Sequence, residues 1–355
     1  MSPFSMIDCF AGAGGMSLGL KDAGFDPVGA FDLDPMSVAT YNRNIKDCAF
    51  DADVHRITGQ SLLRRAKIKS GNLDLLAGGP PCQGFSRQRR GPDTDSRNDL
   101  VFEFLRLTKE CRPRAFLMEN VSAITAGRGR DILRRLVEGF EALGYTLNQR
   151  VLDAADYSVP QHRRRLFIVG FRRDVGASFS FPTPSGRRRT VRHAIADLPD
   201  PSSSHAIPNH EADNISELNR VRISHVPEGG GRDDIPVELR LPCHAVSTEK
   251  AGHRGVYGRL SWDKPAGTIT TKCNSFTRGR FAHPRRDGNI TMREAARLQS
   301  FPDTFIFAGA KVQVAHQVGN AVPPPLSRAI GSEISRTLRL AAESMLPAGK
   351  LKLAS

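Results

Sequence analysis

Ser5-Met6-Ile7-Asp8-Cys9-Phe10-Ala11-Gly12-Ala13-Gly14-Gly15 decides how the rest of the chain is read. Five residues with strand character run into a glycine-rich turn, and a helical stretch follows to about Ala23. Glycines let the backbone turn sharply and approach a ligand closely, so a strand-turn-helix of this kind is a common nucleotide site. It departs from the dinucleotide fingerprint, because Ser17 stands where the third glycine would be. No Lys follows the last glycine, as a phosphate-binding loop requires. On its own the turn fits a structural corner as well as a ligand site.

Outward from it, strands and helices alternate. Pro27 to Phe31 reads as a strand and Met36 to Asn44 as a helix. Leu73 to Ala77 has the pattern of a buried strand, Asp99 to Glu110 is helical in period, and Ala115 to Glu119 is again a strand. Ile132, Leu133, Leu136, Val137, Phe140 and Leu143 make one face of a helix over 131–143. Strands follow over 145–152 and 166–171. Such alternation predicts an α/β fold with a doubly wound, mainly parallel sheet. Over roughly 182–290 the texture changes to Pro, Gly, Ser, Arg and His, which predicts a smaller, loop-rich domain. The α/β pattern returns at Thr291, where Thr291 and Glu294 have capping-box spacing. A final helix is expected from about Leu326 to Ala342. The expected division is therefore 1–181, 182–290 and a returning segment 291–355.

The 355 residues are 39% hydrophobic, enough for a large core. No apolar run reaches the ~18 residues of a membrane span, and the first twenty residues have no secretory pattern. A soluble, cytoplasmic protein is expected. With 51 Lys+Arg against 37 Asp+Glu the formal charge is +14, which favours a polyanionic partner. The arginines cluster at 87–90, 163–165, 187–189 and 285–286, and the arginine fork suits phosphate. None of the six cysteines forms a C-x-x-C pair, so neither zinc nor a redox motif is indicated, and no metal is expected.

One cysteine stands apart. Gly78-Gly79-Pro80-Pro81-Cys82-Gln83-Gly84-Phe85-Ser86 follows a buried strand, and two prolines fix the backbone just before the thiol. The carboxyl end of a parallel strand is where such sheets bind ligands. An acidic residue about twenty positions after the glycine turn is the expected ribose partner. Asp32 and Asp34 both occupy that place, although Asp34 could instead cap the helix at Pro35.

With these motifs in view, the chain resembles the cytosine-5 DNA methyltransferase family over nearly its whole length. The quoted cofactor turn and Pro-Pro-Cys loop are followed in the family's order by Met118-Glu119-Asn120-Val121 and Gln161-His162-Arg163-Arg164-Arg165. Arg293-Glu294-Ala295-Ala296-Arg297-Leu298-Gln299 and Gln317-Val318-Gly319-Asn320-Ala321-Val322-Pro323 complete the set. The resemblance implies that Cys82 adds to carbon 6 of a cytosine, with S-adenosylmethionine as methyl donor. It implies that Glu119 supports ring nitrogen 3 and that Asn120 orders the site. Of Arg163 and Arg165, it places one near the base and the other beside the acid. It assigns the donor to Phe10, Ala11, Gly12, Gly14 and Gly15. Asp32, where the family usually has Glu, and Leu33, where an aromatic is common, would face the ribose and adenine. Asp53 and Val54 would read and pack the adenine. Pro80, Leu100, Asn320 and Val322 would surround the methionine.

The same resemblance implies double-stranded DNA as partner, with the target base flipped out of the stack. The polar stretch from Ser86 to Asn98, with Arg87, Gln88 and Arg89, would close over the DNA, and Ser86 or Gln88 would fill the vacated space. Residues 182–290 stand where the family has its target-recognition domain. Arg259, Lys272, Arg278 and Arg280 are candidates there for base or phosphate contacts. A monomer without a direct protein partner is expected, from a bacterial or phage modification system with or without a cognate endonuclease. A tRNA cytosine methyltransferase, a silent DNA-binding relative and a nucleotide-dependent oxidoreductase are the competing readings. The intact Cys82, Glu119 and Arg165 set speaks against silence, and the proline-cysteine loop gives the oxidoreductase no support.

Overall fold

The computed structural model describes residues 3–81, 100–127, 129–203, 206–242 and 255–344. Seven strands form one sheet: β1 (Phe4–Cys9), β2 (Phe25–Asp32), β3 (Ala49–Asp51), β4 (Leu75–Gly78), β5 (Ala115–Val121), β6 (Tyr145–Asp153) and β7 (Arg164–Arg172). Their order across the sheet is β3-β2-β1-β4-β5-β7-β6. Neighbours from β3 to β5 are parallel, and β7 runs antiparallel to both β5 and β6. The order reverses at β1 and β4, so the crevice beyond their carboxyl ends is the fold's natural ligand position.

Alternation along the strands explains both covered faces. Met6, Leu75, Ala115 and Leu117 point to one side, against α1 (Gly15–Asp22) and α10 (Pro324–Ser344). Ile7, Leu76, Phe116 and Met118 point to the other. There they meet α3 (Gly59–Arg65), α4 (Leu100–Cys111) and α5 (Gly129–Ala142) through Leu62, Phe104, Leu107, Leu136 and Phe140. The rings of Phe116 and Phe140 stack at 4.2 Å. Each such side chain stabilises the fold by roughly 1.5–3 kcal/mol on burial. The fold is the doubly wound one expected. The sequence pattern did not reveal β3, α3 or α9 (Lys311–Asn320), which are short or mixed in polarity. Helix α2 (Pro35–Asn44) starts where Asp34 accepts hydrogen bonds from the amides of Met36 and Ser37, so Asp34 is its cap.

Between 182 and 290 regular structure is sparse: α6 (Val191–Ile195), α7 (Glu217–Ser224), short 3₁₀ turns and isolated bridges. A third apolar cluster holds this region together through Ile223, Leu260, Ile269, Phe276 and Phe281. The cluster continues without a break into α8 (Met292–Leu298) and α9, through Ala295, Leu298, Val314 and Val318. The capping box is present at α8, with Thr291 Oγ1 accepting from Glu294 N and Glu294 Oε2 accepting from Thr291 N. No helix among the described residues is long and apolar enough to cross a membrane.

Candidate active site

At the crevice, the chain leaves β1 through two left-handed glycines, Gly12 (φ 52°) and Gly14 (φ 90°). Phe10 also has positive φ, at 56°, a conformation that is uncommon for a side-chain-bearing residue and clusters at functional sites. The loop is braced from outside. Asp32 Oδ2 accepts from Gly12 N at 2.8 Å, its Oδ1 accepts from Asp34 N at 3.0 Å, and Ala11 N donates to Phe31 O. Burial raises the Asp32 carboxyl above its ordinary value, and these amide bonds counter the rise. A side chain at Gly14 would strike Tyr41 and Ile45, whereas one at Gly12 would meet open space.

That open space is a cavity of about 440 Å³, within the range of small-molecule sites. Phe10, Ala11, Gly12, Gly15, Asp32 and Leu33 line one side. Asp53, Val54, Pro80, Leu100, Asn320 and Val322 line the rest of the expected donor surface. Gly14 is the exception, packed beneath the loop, where it makes the turn. Leu33 is 73% exposed and stands at the rim. The Asp53 side chain accepts from His55 N, so it also caps the turn after it. The open cradle at Gly12 and the adjoining acid Asp32 fit the adenosine end of a donor such as S-adenosylmethionine. A larger cavity of about 670 Å³ lies behind α8 and the start of α10. Of its cations, Arg297 is paired with Asp197 and Asp303, and none of the expected site residues line it.

The same 440 Å³ cavity is bordered by Glu119, Asn120, Arg163 and Arg165. Asn120, almost fully buried, donates from Nδ2 to Pro80 O at 3.0 Å, so β5 holds the loop that runs into Cys82. Alternation along the start of β7 puts Arg163 and Arg165 on the cavity side and leaves Arg164 exposed. Arg165 Nε lies 3.0 Å from Glu119 Oε1, a charge contact without hydrogen-bond alignment. Burial pushes the Glu119 carboxyl up, against the pull of Arg165 and Arg163. Burial and the neighbouring Arg165 charge hold the Arg163 guanidinium well below its ordinary value. Arg163 is fixed by two carbonyls, Ile269 O at 3.1 Å and Gly319 O at 2.9 Å.

Cys82 and the DNA candidates Ser86, Arg87, Gln88 and Arg89 lie outside the described residues. Lys272 and Arg278 are exposed. Arg259 is a correction: it is 4% exposed and does not face solvent. Its guanidinium donates to the carbonyls of Ile223, Val226, His283 and Arg286 and to Asp287 Oδ1, so it is a buried strut of the middle region. Arg280 is half-committed in the same way, with Nη1 donating to Gly229, Gly230 and Arg259 carbonyls. A strut and a DNA contact have the same residue type in the sequence, and only burial separates them.

Asp8 was not singled out in the sequence, although an acid in a buried apolar strand is itself a signal. It lines the cavity, is 1% exposed, and accepts from Ser17 Oγ at 2.6 Å. Ser17 Oγ is also 2.8 Å from Tyr41 Oη. Burial raises the Asp8 carboxyl from 3.8 to about 7. An acid that holds its proton more tightly when folded favours the fold below the unfolded value and loses that advantage as pH rises through the folded one. Asp8→Asn escapes this loss. Its stability advantage over the natural chain should grow by about 2 kcal/mol between about pH 5 and 7, then level off. Thermal unfolding across that range measures it, and a difference that does not change with pH would contradict the assignment.

With the geometry in place, the comparisons with known proteins agree on one family. Residues 4–336 match the model of the C-5 cytosine-specific DNA methylases. Type II methyltransferase M.XorII of Xanthomonas oryzae is 36% identical, the match covering 94% of this chain and 85% of that protein. Type II methyltransferase M1.HphI of Haemophilus parahaemolyticus is 38% identical over 92% of this chain and 86% of its own. Among solved structures, an Escherichia coli chain described as a prophage-encoded DNA modification methyltransferase superposes with a TM-score of 0.75 at 26% identity, covering 95% of this chain and 99% of its own. A doubly wound sheet, a cavity at its switch point and a family match spanning nearly every element lead to one conclusion: this chain belongs to the C-5 cytosine-specific DNA methylase family and is a DNA cytosine methyltransferase.

Proposed function

We propose that this enzyme methylates carbon 5 of a flipped-out cytosine in double-stranded DNA through a covalent adduct with Cys82, using S-adenosylmethionine held in the 440 Å³ cavity. The observation that carries the reading is the junction of Pro80, Asn120, Glu119 and Arg165 around one cavity, one residue beyond which the chain reaches Cys82 after Pro81. When bound, S-adenosylmethionine supplies an electrophilic methyl group on a sulfonium.

Cytosine carbon 5 is a poor nucleophile, so the ring must first be activated. The Cys82 thiolate forms a bond to carbon 6, and the displaced π electrons move toward carbon 5 and nitrogen 3. Glu119 gives its proton to nitrogen 3. Burial favours the protonated acid that this step needs. Arg165 keeps the carboxyl in place, and its charge stabilises the carboxylate left after proton transfer. As carbon 5 takes the methyl group, leaving the donor a neutral thioether, nitrogen 3 returns its proton to the Glu119 carboxylate, and the carbon 5 proton passes to water. The carbon 6–sulfur bond then breaks, returning the thiolate and restoring the ring.

Gly12, Asp32, Asp53 and Val54 hold the donor's adenosine end, and Pro80, Leu100, Asn320 and Val322 surround its methionine end. Residues 182–290 read the target, with exposed Lys272 and Arg278 available to DNA. Arg87 and Arg89 grip phosphate, and Ser86 or Gln88 takes the place of the flipped base.

Duplex DNA carrying 5-fluorocytosine at the target tests the reading, because fluorine cannot leave carbon 5 as a proton does. A complex that survives denaturing electrophoresis and maps to Cys82 is the expected result. No trapped complex from enzyme that methylates ordinary DNA would overturn the covalent route.

A further inference from the structure

Beneath the site, three segments distant in sequence meet through buried amides. Gln161 precedes β7, Ile269 belongs to the middle region, and Gln299 ends α8. Gln161 and Gln299 are both 0% exposed. Gln161 Oε1 accepts from Ile269 N at 2.8 Å, and Gln161 Nε2 donates to Gln299 Oε1 at 2.9 Å. Gln299 Nε2 in turn donates to Val318 O at 2.6 Å and reaches Ala321 O at 3.4 Å.

The chain has a single direction. Ile269 N can only donate and Val318 O can only accept, so both amide orientations are determined. Its two ends are the peptides beside those that hold Arg163, namely Ile269 O and Gly319 O. Arg163 Nε has no hydrogen-bond partner among the described residues, so these two carbonyls alone set where the guanidinium points. A second contact enforces the same junction. A Cβ at Gly319 would lie 2.3 Å from the backbone of Thr270 and Thr271, so the middle region presses directly on the turn that carries Asn320 and Val322.

We propose that Gln161 and Gln299 are positioning residues for methyl transfer: through them the placement of residues 266–271 sets both the orientation of Arg163 and the Val318–Val322 wall of the donor cavity. A shift of the middle region, as when it engages DNA, is thereby transmitted to the acid site and to the donor at once. The inference rests on the roles of Arg163 and the cavity given above.

Gln299→Met and Gln161→Met keep side-chain volume and remove the chain. Each is expected to weaken donor binding, measured by calorimetry without DNA, about fivefold to tenfold, and to lower kcat about 10–100-fold. DNA affinity should stay within about twofold. The double variant should be no worse than either single, because both break one chain. Gln299→Glu provides rescue: its protonated acid accepts from Gln161 and donates to Val318 O, so donor affinity should recover as pH falls. A purely structural role would lower Tm and leave kcat per folded molecule unchanged. Donor affinity and kcat within about twofold of the natural enzyme, or additive losses in the double variant, would overturn the proposal. Full activity in Gln299→Met beside an inactive Glu119→Gln defeats this inference alone, whereas full activity in both defeats the reading of the site beneath it.

Discussion

Cys82→Ala is expected to reduce methyl transfer by at least about 10⁴-fold while leaving DNA binding and donor binding in place. The size follows from the chemistry. Without a bond at carbon 6, no electron density accumulates at carbon 5, and the described residues that line the cavity include no second thiol to substitute for Cys82. The remaining cysteines of the described structure are unsuited to the task. Cys9, Cys111 and Cys273 are buried and Cys48 is half-buried, and burial pushes all four thiols up. DNA binding should survive because it draws on phosphate contacts made elsewhere. The measurement is single-turnover methyl transfer alongside a DNA titration. Transfer within tenfold of the natural enzyme would require a different mechanism.

Glu119→Gln should cost about 10²–10⁴-fold in kcat, the usual contribution of a positioned acid. The amide keeps the shape and the neighbours Arg165 and Gly79 but cannot give nitrogen 3 its proton. The pH dependence has a definite sign. In the proposed reaction the protonated carboxyl is the working form, and burial raises its proton affinity. Activity dependent on Glu119 is therefore full at low pH and declines as pH rises through the raised value. The variant should lose that declining limb along with most of its rate. A variant of nearly natural rate, or one that keeps the decline unchanged, would remove Glu119 from the proton transfer.

Two of the carboxylates at the cavity show why position outranks residue type. Asp32 and Asp34 are two residues apart and equally acidic in the sequence. In the fold, Asp32 ties down Gly12 at the cavity, and the Asp34 carboxylate is spent capping α2. Arg163 and Arg259 make the same point for cations. Both are buried and both bind carbonyls, but Arg163 borders the cavity with Glu119, whereas Arg259 braces the middle region. Local sequence gives an arginine's chemistry and leaves open whether its fork is spent on its own backbone.

What the amino-acid order determined by itself is local. Short apolar runs produced the strands of β1, β2, β4 and β5, glycines made the turn at 12–15, and Thr291 with Glu294 started α8. These depend on neighbours within a few positions, so a linear reading reaches them. The ordered set of motifs likewise pointed to one family, because six short matches in sequence need no coordinates. Tertiary structure alone decided the rest. It put residues 8, 80, 119, 165 and 322 around one cavity, and it carried a hydrogen-bond chain from Ile269 through Gln161 and Gln299 to Val318. It also joined the middle region to α8 and α9 in a single core that no break at residue 290 interrupts. The reason is physical: a buried amide takes its role from the partner that reaches it, and both partners of Gln161, Ile269 and Gln299, arrive from more than a hundred residues away.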